Sequence, residues 1–380
     1  MATTLVLHFD VNKTMIMMDP VQGKDVEHVL NDILTENILG TIEKGKWHWN
    51  GEEVQGGEVH DDGTPPSISF SQYLRTIYPN NGTFEERKKN KKIRKEKRGT
   101  FTSDNQPGVG LRSQYTQLQD KLRLPSYLIG TPAATDIGLT TAYHFILPSF
   151  FALLVNLQKR GRTFHLILRT FGQDIEAVAV EFNAFCTGNH PLFPHVHMDG
   201  KEGSIDMRLC LESNICNAFG TVFRNESQVS IVWGTLLQPP LDTTNLLSFY
   251  DKNVYEIISG YKEIHENIKN RLTKRASLAL RDYYPYWWKK QQCCTAGKLM
   301  TVEKENSLIH TVFFDDNILP HDSHIVDAVN GNTGASLEYK ETKDIHLLGV
   351  ESIRAINEKS YFIDLLQKAE DLYQLRNNKQ

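Results

Sequence analysis

Apolar residues on both alternating faces mark the first segment of the chain as a buried strand. Residues 4–18 have the sequence TLVLHFDVNKTMIMM, and the stretch is apolar up to Asp10. A strand that is apolar on both faces is typical of a parallel sheet with helices covering each side. The pattern therefore predicts an α/β protein whose first buried strand ends on a carboxylate.

The alternation of buried strand and helix continues in the middle of the chain. Residues 141–159 predict an amphipathic to buried helix that is closed by Gly161. The sequence FHLILRT at residues 164–170 predicts a second buried strand, and this strand ends in Thr170. The apolar spacing of residues 174–186 then predicts another helix.

The last part of the chain extends the same pattern. Two β-rich stretches lie within residues 200–236, and residues 244–281 carry apolar side chains near the spacing of a long helix. The sequence LIHTVFFDD predicts a third strand of the first kind, which ends in Asp315 and Asp316. The remaining predicted elements are a short strand at residues 324–329 and a C-terminal helix at about residues 353–375.

Residues 19–135 differ in character from the segments on either side. They are polar and are interrupted by glycine and proline residues, which are Gly51, Gly56, Gly57, Gly63, Pro65 and Pro66. This pattern predicts an insertion with short helices and long loops, partly flexible, between two parts of one core, residues 1–18 and 136–380. A β-rich insertion is also expected within the core, at residues 195–240.

A run of charged residues, EERKKNKKIRKEKR, occupies positions 85–98 of the predicted insertion. One interpretation is a patch for nucleic acid or acidic lipid, and the other is a solvated or disordered loop. No aromatic residues interleave these charges, and the whole chain has a net charge of −4. The loop interpretation is therefore favoured, and nucleic acid is not an expected partner. The basic segment alone nevertheless does not exclude nucleic-acid binding.

Composition narrows the class of protein. The chain has 380 residues, of which 40% are hydrophobic and 23% charged, as in ordinary globular proteins. Its negative net charge gives no overall basic field that would attract nucleic acid. The first residues show no basic start followed by a long apolar stretch and a small-residue cleavage site, so no signal peptide is expected. The longest apolar stretch, around residues 145–157, is interrupted by Pro148 and Asn156 and is too short to span a bilayer, so no membrane partner is expected.

Cysteine usage leads to an expectation about the compartment. The chain has five cysteines, which is an odd number, and Cys293 and Cys294 are adjacent. No C-x-x-C pair occurs. These features predict reduced thiols and a cytoplasmic location.

Polar side chains stand at the ends of the three strongest predicted strands. They are Asp10, Thr170 and the pair Asp315 and Asp316. If the strands are parallel neighbours, these groups converge at the edge of the sheet where ligands bind in open α/β proteins. Gathered carboxylates repel one another, and a hard cation such as Mg²⁺ relieves that repulsion. With a hydroxyl and a lysine to bind phosphoryl oxygens, these residue types make up a phosphoryl-transfer site.

The order of these motifs resembles that of the haloacid dehalogenase (HAD) superfamily, whose members are mostly Mg²⁺-dependent phosphatases. HFDVNKT resembles the first motif, with Asp10 in the nucleophile position and Thr14 in the threonine position. LILRT resembles the second motif and ends in Thr170. Lys298 in AGKLM fits the motif lysine best, with Lys304 as the runner-up. VFFDD resembles the acidic fourth motif.

The resemblance implies a Rossmann-like core, an aspartyl-phosphate intermediate, bound Mg²⁺ and a cap domain, which residues 19–135 would form. It also implies that Asp10 attacks phosphorus. Thr170 and Lys298 would bind the phosphoryl oxygens of a small phosphorylated substrate. The implied Mg²⁺ ligands are the Asp10 carboxylate, the backbone carbonyl of Asn12 and Asp315, with Asp316 assisting.

Asn12 departs from the family's first motif, which usually has Asp two residues after the nucleophile. That Asp protonates the leaving group and then activates water, whereas Asn12 forms hydrogen bonds but exchanges no proton near pH 7. The chain would then act on substrates with good leaving groups, such as acyl phosphates or anhydrides. Alternatively, it would stall at the phospho-enzyme or carry out dehalogenase-like or transfer chemistry. The third alternative is a catalytically inactive HAD-like binding or scaffolding protein, and the sequence favours a phosphohydrolase or phosphotransferase over it.

Other motifs are weaker candidates for a functional site. His190, His195 and His197 have the chemistry of zinc ligands, but no cysteine or second cluster is near in sequence, so ordinary loop histidines are favoured. The aromatic run DYYPYWWKK, residues 282–290, would suit a base or a sugar, yet core packing or a partner interface is the favoured interpretation. Arg169, next to the second-motif threonine, is interpreted as a surface cation. No P-loop sequence is present.

Overall fold

A computed structural model of the chain describes residues 3–19, 22–51, 67–203, 205–211, 218–251, 255–304 and 308–377. The strands in these residues are β1 (Thr4–Asp10), β2 (Leu39–Glu43), β3 (Lys46–Trp49), β4 (Ile68–Ser69), β5 (Phe164–Thr170), β6 (Phe219–Arg224), β7 (Val229–Trp233), β8 (Glu256–Ser259), β9 (Ser277–Arg281), β10 (Lys298–Val302), β11 (Ile309–Asp315), β12 (Val326–Asn330) and β13 (Leu347–Gly349). The α-helices in these residues are α1 (Val26–Asn37), α2 (Phe70–Ile77), α3 (Phe84–Gly99), α4 (Arg112–Leu122), α5 (Pro132–Thr135), α6 (Pro148–Lys159), α7 (Ile175–Cys186), α8 (Leu246–Phe249), α9 (Tyr261–Leu272), α10 (Tyr284–Lys289), α11 (Tyr339–Thr342), α12 (Ser352–Asn357) and α13 (Tyr361–Asn377).

The chain divides into two compact units. The large unit consists of Met1–Ile16 and Leu124–Gln380, and the small unit is Met17–Arg123. Residues 124–135, which were predicted to lie in the insertion, belong to the large unit.

The large unit is built on a mixed, mostly parallel sheet. In the described residues this sheet has eight strands in the order β13-β11-β1-β5-β9-β6-β7-β8. Neighbours are parallel from β13 to β6, whereas β7 runs antiparallel to both β6 and β8. The predicted α/β class with a mainly parallel sheet is confirmed. The β-rich residues 219–233, predicted within an insertion, are two strands of this sheet.

Strand β1 is buried on both faces, as its sequence predicted. On one face Phe9 packs edge-on against Phe150 of α6 and Phe362 of α13, with ring centroids 5.0 and 5.3 Å apart. On the opposite face of the sheet, Ile167 of β5 shares a core cluster with Ile264 of α9 and with residues of β10 and β12. Full burial of such side chains contributes roughly 1.5–3 kcal/mol each, which explains why helices cover both faces.

Two elements begin or end at residues other than those predicted. The helix predicted at 141–159 begins at Pro148, because a residue that precedes proline is driven away from helical backbone angles. The first strand, predicted over residues 4–18, ends at Asp10. Three residues later the backbone of Lys13 has a φ of +60°, which no extended strand tolerates.

Two predicted helices are divided in the structure. The residues 244–281 form α8, β8, α9 and β9 instead of one long helix. The β-branched pair Ile257 and Ile258 lies in β8, where Gly260 with a φ of +98° provides the turn into α9. The predicted C-terminal helix is likewise two helices, α12 and α13, separated near residue 359.

The small unit contains a three-stranded antiparallel sheet in the order β3-β2-β4 together with α1 to α4. Its basic segment forms the helix α3, so the prediction of a loop is wrong. Thr83 and Glu86 form a capping box at the start of α3, and Lys97 and Arg98 lie in its last turn, where cations stabilise a helix. None of the described α3 residues is fully buried, so the helix is solvated as predicted.

Cys210 is disulfide-bonded, so the prediction of reduced thiols is wrong for this residue. Cys186, Cys293 and Cys294 are free. The missing C-x-x-C motif was a poor guide, because a disulfide requires proximity in space and not in sequence. The prediction of a cytoplasmic location loses this support. In the described residues no helix combines the length and the apolar character needed to cross a membrane.

Candidate functional site

The carboxyl ends of three adjacent parallel strands bring the predicted polar side chains together. Strand β1 lies between β11 and β5, so Asp10 and Asp315 end neighbouring strands while Thr170 ends β5. Ligand oxygens of Asp10, Asp315 and Asp316 lie within 4.8 Å of one another. Asp10, Thr170 and Asp315 are buried, and Asp316 is partly exposed. The edge therefore holds three carboxylates and a hydroxyl in a small volume.

Lys298 extends its ammonium group between two of these carboxylates. Its Nζ donates to Oδ1 of Asp10 and, at 2.7 Å, to Oδ2 of Asp315. Lys298 is the first residue of β10 and is 1% exposed. The runner-up, Lys304, is 45% exposed and pairs with Glu341 at 3.2 Å. The geometry therefore selects Lys298 as the lysine of this site.

The site brings together three acidic side chains, Asp10, Asp315 and Asp316, and fewer basic ones. Besides Lys298, the partly exposed Lys13 lies near the carboxylates, with its Nζ 3.4 Å from Oδ2 of Asp316. Burial raises the pKa of Asp10 well above its usual range, and Asp315 and Asp316 add to the rise while Lys298 opposes it. A divalent cation at this edge would favour the ionised form of Asp10 and offset the repulsion among the three carboxylates.

Lys298 remains an ammonium group in these surroundings. Burial acts to lower the pKa of Lys298, but the carboxylates of Asp10, Asp315 and Asp282 outweigh it and hold this pKa above its usual range. Its Nζ also lies over the rings of Phe171 and Phe313, 5.2 and 5.8 Å from their centroids. These rings form an apolar wall that strengthens the charge interactions within the site.

The loop after β1 is tightly folded around Lys13. The Ile16 N–H donates to the carbonyl of Val11 at 2.9 Å, and the Lys13 N–H donates to the carbonyl of Ile16 at 2.8 Å. Thr14 is fully buried, and its Oγ1 accepts a hydrogen bond of 3.1 Å from the N–H of Asp316. Thr14 thus connects the loop after β1 to the loop after β11.

Asn12 lies beside the threonine that ends β5. Oγ1 of Thr170 donates to Oδ1 of Asn12 at 3.3 Å and accepts from the N–H of Gly172 at 2.8 Å. The side chain of Asn12 therefore lies at the same edge as Asp10. An amide at this position orients the threonine hydroxyl but has no proton to exchange near pH 7.

Asn317 is a site residue that the sequence analysis missed. Its N–H donates to Oδ1 of Asp315 at 2.8 Å, and its Nδ2 donates to Oδ1 of Asp316 at 2.9 Å. These bonds hold both carboxylates in one orientation. A polar residue directly after an acidic pair was the only signal for it in the sequence, and that signal is weak.

Arg169 and Asp282 form a buried ion pair that the sequence analysis also missed. Nε of Arg169 donates to Oδ2 of Asp282 at 3.0 Å, and both side chains are 1% exposed. Nη1 of Arg169 donates to the carbonyl of Leu299, the residue after Lys298, at 2.8 Å. The prediction that Arg169 is a surface cation is wrong, because its register with Asp10 turns it into the protein. The sequence did contain one sign of this ion pair, because Asp282 is an acidic residue directly after strand β9.

The histidines proposed as zinc ligands do not form a metal site. In the part of the chain that the structure describes, the acidic triad is the only group of three or more His, Cys, Asp or Glu residues close enough to share an ion. His190 is buried, with its Nε2 3.1 Å from Oε1 of Glu181, whereas His195 and His197 are exposed. These three side chains are therefore not gathered around a common point.

The aromatic run at residues 282–290 packs in the core, as favoured. Trp287 is buried and stacks on Phe171 with ring centroids 5.3 Å apart. Phe171 is also one of the rings beside the ammonium of Lys298. The aromatic run therefore packs against a ring that lies beside Lys298 in the site.

Replacing Gly297 with Ala is expected to displace Lys298 and to lower the free energy of unfolding by about 1–3 kcal/mol. A Cβ at Gly297 would lie 2.0 Å from the carbonyl oxygen of Ile325, so β10 must move. Urea unfolding measures this change, and the exposed Thr295→Ala is the control, with an expected effect within about 0.5 kcal/mol. A Gly297→Ala protein as stable as the wild type would contradict the close contact.

The arrangement brings together three carboxyl groups whose oxygens lie within 4.8 Å of one another, a buried lysine and a buried threonine hydroxyl. Such groups are what phosphoryl transfer requires. Comparisons of the chain with protein-family models, curated proteins and solved structures gave no match.

Proposed function

We propose that the chain is a Mg²⁺-dependent phosphohydrolase or phosphotransferase of the HAD type, with Asp10 as its nucleophile. The observation that carries this proposal is the cluster of Asp10, Asp315 and Asp316 at the ends of adjacent parallel strands, with ligand oxygens within 4.8 Å. Lys298 joins the cluster although it lies 288 residues from Asp10 in sequence. Distant motif residues that meet at one ligand-binding edge are better explained by a shared chemical role than by chance.

The residues present fit a hard divalent cation such as Mg²⁺. Three carboxylates and the backbone carbonyl of Asn12 would hold the ion with oxygen atoms alone, which is the donor set that Mg²⁺ prefers. Asn317 fixes two of these carboxylates. When bound, Mg²⁺ would reduce the repulsion between the anionic nucleophile and the anionic phosphoryl group.

In the proposed reaction a carboxylate oxygen of Asp10 attacks phosphorus. A P–O bond to Asp10 forms, and the bond to the leaving group breaks, with its electron pair departing on the leaving group. Lys298 and Thr170 donate to the phosphoryl oxygens and offset the charge that develops on them. Water, or an acceptor hydroxyl in a transferase, then attacks phosphorus, loses its proton to solvent and regenerates the Asp10 carboxylate.

Asn12 restricts the proposed substrates to small phosphorylated molecules with good leaving groups. A carboxylate leaving from an acyl phosphate, or a phosphate leaving from an anhydride, is stable as an anion and needs no proton at departure. In this proposal the large unit is the Rossmann-like HAD core, and the small unit is the inserted cap.

The proposal predicts Mg²⁺-dependent phosphate release from acyl phosphates that exceeds release from sugar phosphates and nucleoside monophosphates. Asp10→Asn is expected to abolish it, because the amide is a far weaker nucleophile than the carboxylate. Phosphate release with and without EDTA measures both effects. The exposed Asp104→Asn is the matched control and should retain full activity. Turnover that survives Asp10→Asn, or that needs no divalent cation, would sink the proposal.

A catalytically inactive HAD-like binding or scaffolding protein is the second candidate function. Asn12 favours it, and so does the ammonium of Lys298, which already satisfies the carboxylates of Asp10 and Asp315. Calorimetric titration with Mg²⁺ separates the two candidates. Absence of Mg²⁺ binding at millimolar concentration, together with no turnover of any substrate, would support the inactive protein.

A further inference from the structure

The small unit carries a groove of about 720 Å³ that is lined by aromatic side chains. The deepest lining residues are Trp47 and Phe70, which are 3% and 4% exposed. Their ring centroids are 5.3 Å apart. Its sides include Trp49, Tyr73 and Tyr78, each partly exposed. These three rings come from β3, from α2 and from the end of α2. The groove thus offers flat apolar faces to a ligand.

Basic side chains lie at the same groove. Lys46 of β3 and Lys97 of α3 are among its lining residues. Lys89, Ile93 and Lys97 have i, i+4 and i+8 spacing, so they share one side of α3 and extend over about 12 Å of its length. Lys89 and Lys97 are both exposed.

Helix α3 is a local concentration of positive charge on a protein of net charge −4. Its sequence, FEERKKNKKIRKEKRG, contains nine lysines and arginines against three glutamates. Such a concentration of charge attracts a polyanion to this helix.

We propose that this groove and α3 together bind single-stranded nucleic acid. Bases would stack on the aromatic rings of the groove, and lysines of α3 would neutralise the phosphates. The basic segment by itself argued against this partner because it contains no interleaved aromatic residues. Strands and helices distant in sequence supply those residues in the folded protein, namely Trp49 from β3 and Tyr73 from α2.

Single-stranded nucleic acid fits this surface better than other polyanions do. Phe84 and Ile93 are the only large apolar residues of α3, so the helix has no continuous apolar face of the kind that inserts into a lipid surface. A duplex keeps its bases stacked inside and would leave the aromatic rings unused. An unpaired strand engages both the rings and the lysines.

The first test measures the affinity of the full chain for labelled oligonucleotides of roughly 20 nucleotides by fluorescence anisotropy. We expect single strands to bind at least about tenfold more tightly than a duplex of equal length. The double variant Lys89→Gln and Lys97→Gln is expected to show a weaker salt dependence. The slope of log association constant against log salt concentration should become less negative by about 1.4, since each phosphate contact on a single strand contributes about 0.7. Lys201→Gln with Lys340→Gln, two exposed lysines of the large unit, is the charge-matched control and should leave the slope unchanged.

The second test concerns the aromatic rings. Trp49→Leu is expected to weaken binding about tenfold without changing the salt slope, because stacking and phosphate contacts are separate contributions. Trp49→Phe retains a stacking face and should keep most of the affinity, while thermal melting verifies that both variants are folded. Tyr127→Leu removes an exposed ring of the large unit and should bind as the wild type does.

Three results would overturn the proposal. They are equal affinity for single strands and duplex, wild-type affinity in all groove and α3 variants, and no binding of any oligonucleotide at low salt. Cosedimentation with phosphatidylserine vesicles in the last case would assign α3 to an acidic membrane surface instead. Asp10→Asn should bind oligonucleotides as the wild type does, so loss of the proposed phosphohydrolase function would leave this inference intact.

Discussion

Asn12→Asp is expected to raise the turnover of phosphate monoesters with poor leaving groups by about 10²–10⁴-fold, the usual contribution of a general acid and base. Asn12 already lies at the same edge of the sheet as Asp10, with Oδ1 3.3 Å from Oγ1 of Thr170. A carboxylic acid there would protonate the departing oxygen and then accept a proton from the attacking water. Steady-state kcat for a sugar phosphate, measured for both proteins in saturating Mg²⁺, gives the effect.

The leaving group provides the internal control for this prediction. An acyl phosphate needs no proton when its carboxylate departs, so Asn12→Asp should change its phosphorylation step far less than that of a sugar phosphate. The exposed Asn270→Asp introduces the same charge elsewhere and should alter neither substrate. Equal acceleration of both substrates, or no acceleration of the sugar phosphate in a variant that still binds Mg²⁺, would refute the role of position 12 as the missing acid and base.

Lys298→Met is expected to lower the free energy of unfolding by about 3–5 kcal/mol in EDTA, and Mg²⁺ should restore a large part of it. The substitution removes the ammonium between Asp10 and Asp315 and leaves two buried carboxylates without their counter-charge. A cation bound there only in the folded state stabilises that state by mass action. Urea unfolding in EDTA and in millimolar Mg²⁺ measures the loss and the recovery.

The control for this prediction is the other candidate lysine. Lys304 pairs with Glu341 at 3.2 Å on the surface, so Lys304→Met should cost at most about 1 kcal/mol and show no dependence on Mg²⁺ beyond that of the wild type. If the two variants were equally stable, the buried ion pairs of Lys298 would be contradicted. A strong loss without recovery in Mg²⁺ would instead favour a site whose only cation is the lysine.

The sequence alone was sufficient to predict the three strands that carry the site. The runs that form β1, β5 and β11 are apolar on both faces, and such runs are local signals that need no tertiary information. The polar residue at the end of each run was visible for the same reason. From the parallel arrangement that these strands favour, the convergence of their ends could be anticipated.

Boundaries and mixed segments depended on tertiary contacts. Ile257 and Ile258 fit a helical spacing, yet they pair with β7, because the sheet supplies backbone partners and partly buries both side chains. The basic helix α3 has few apolar residues, so its pattern gave no periodic signal. Its capping box and end charges stabilise it locally, and hydrogen bonds such as that from Asn90 to the carbonyl of Pro79 hold it in the small unit.

The partners of buried charges were decided only by the tertiary structure. Arg169 and Asp282 are 113 residues apart, and their pairing follows from the neighbouring positions of β5 and β9 in the sheet. The choice of Lys298 over Lys304 likewise required the path of β10, which buries one lysine and exposes the other. Sequence patterns record which residues are apolar, but the energy of a charge depends on what surrounds it in space. Hydrophobic periodicity therefore determined the core strands of this protein, while its ion pairs and its aromatic groove were determined by the packing of distant segments.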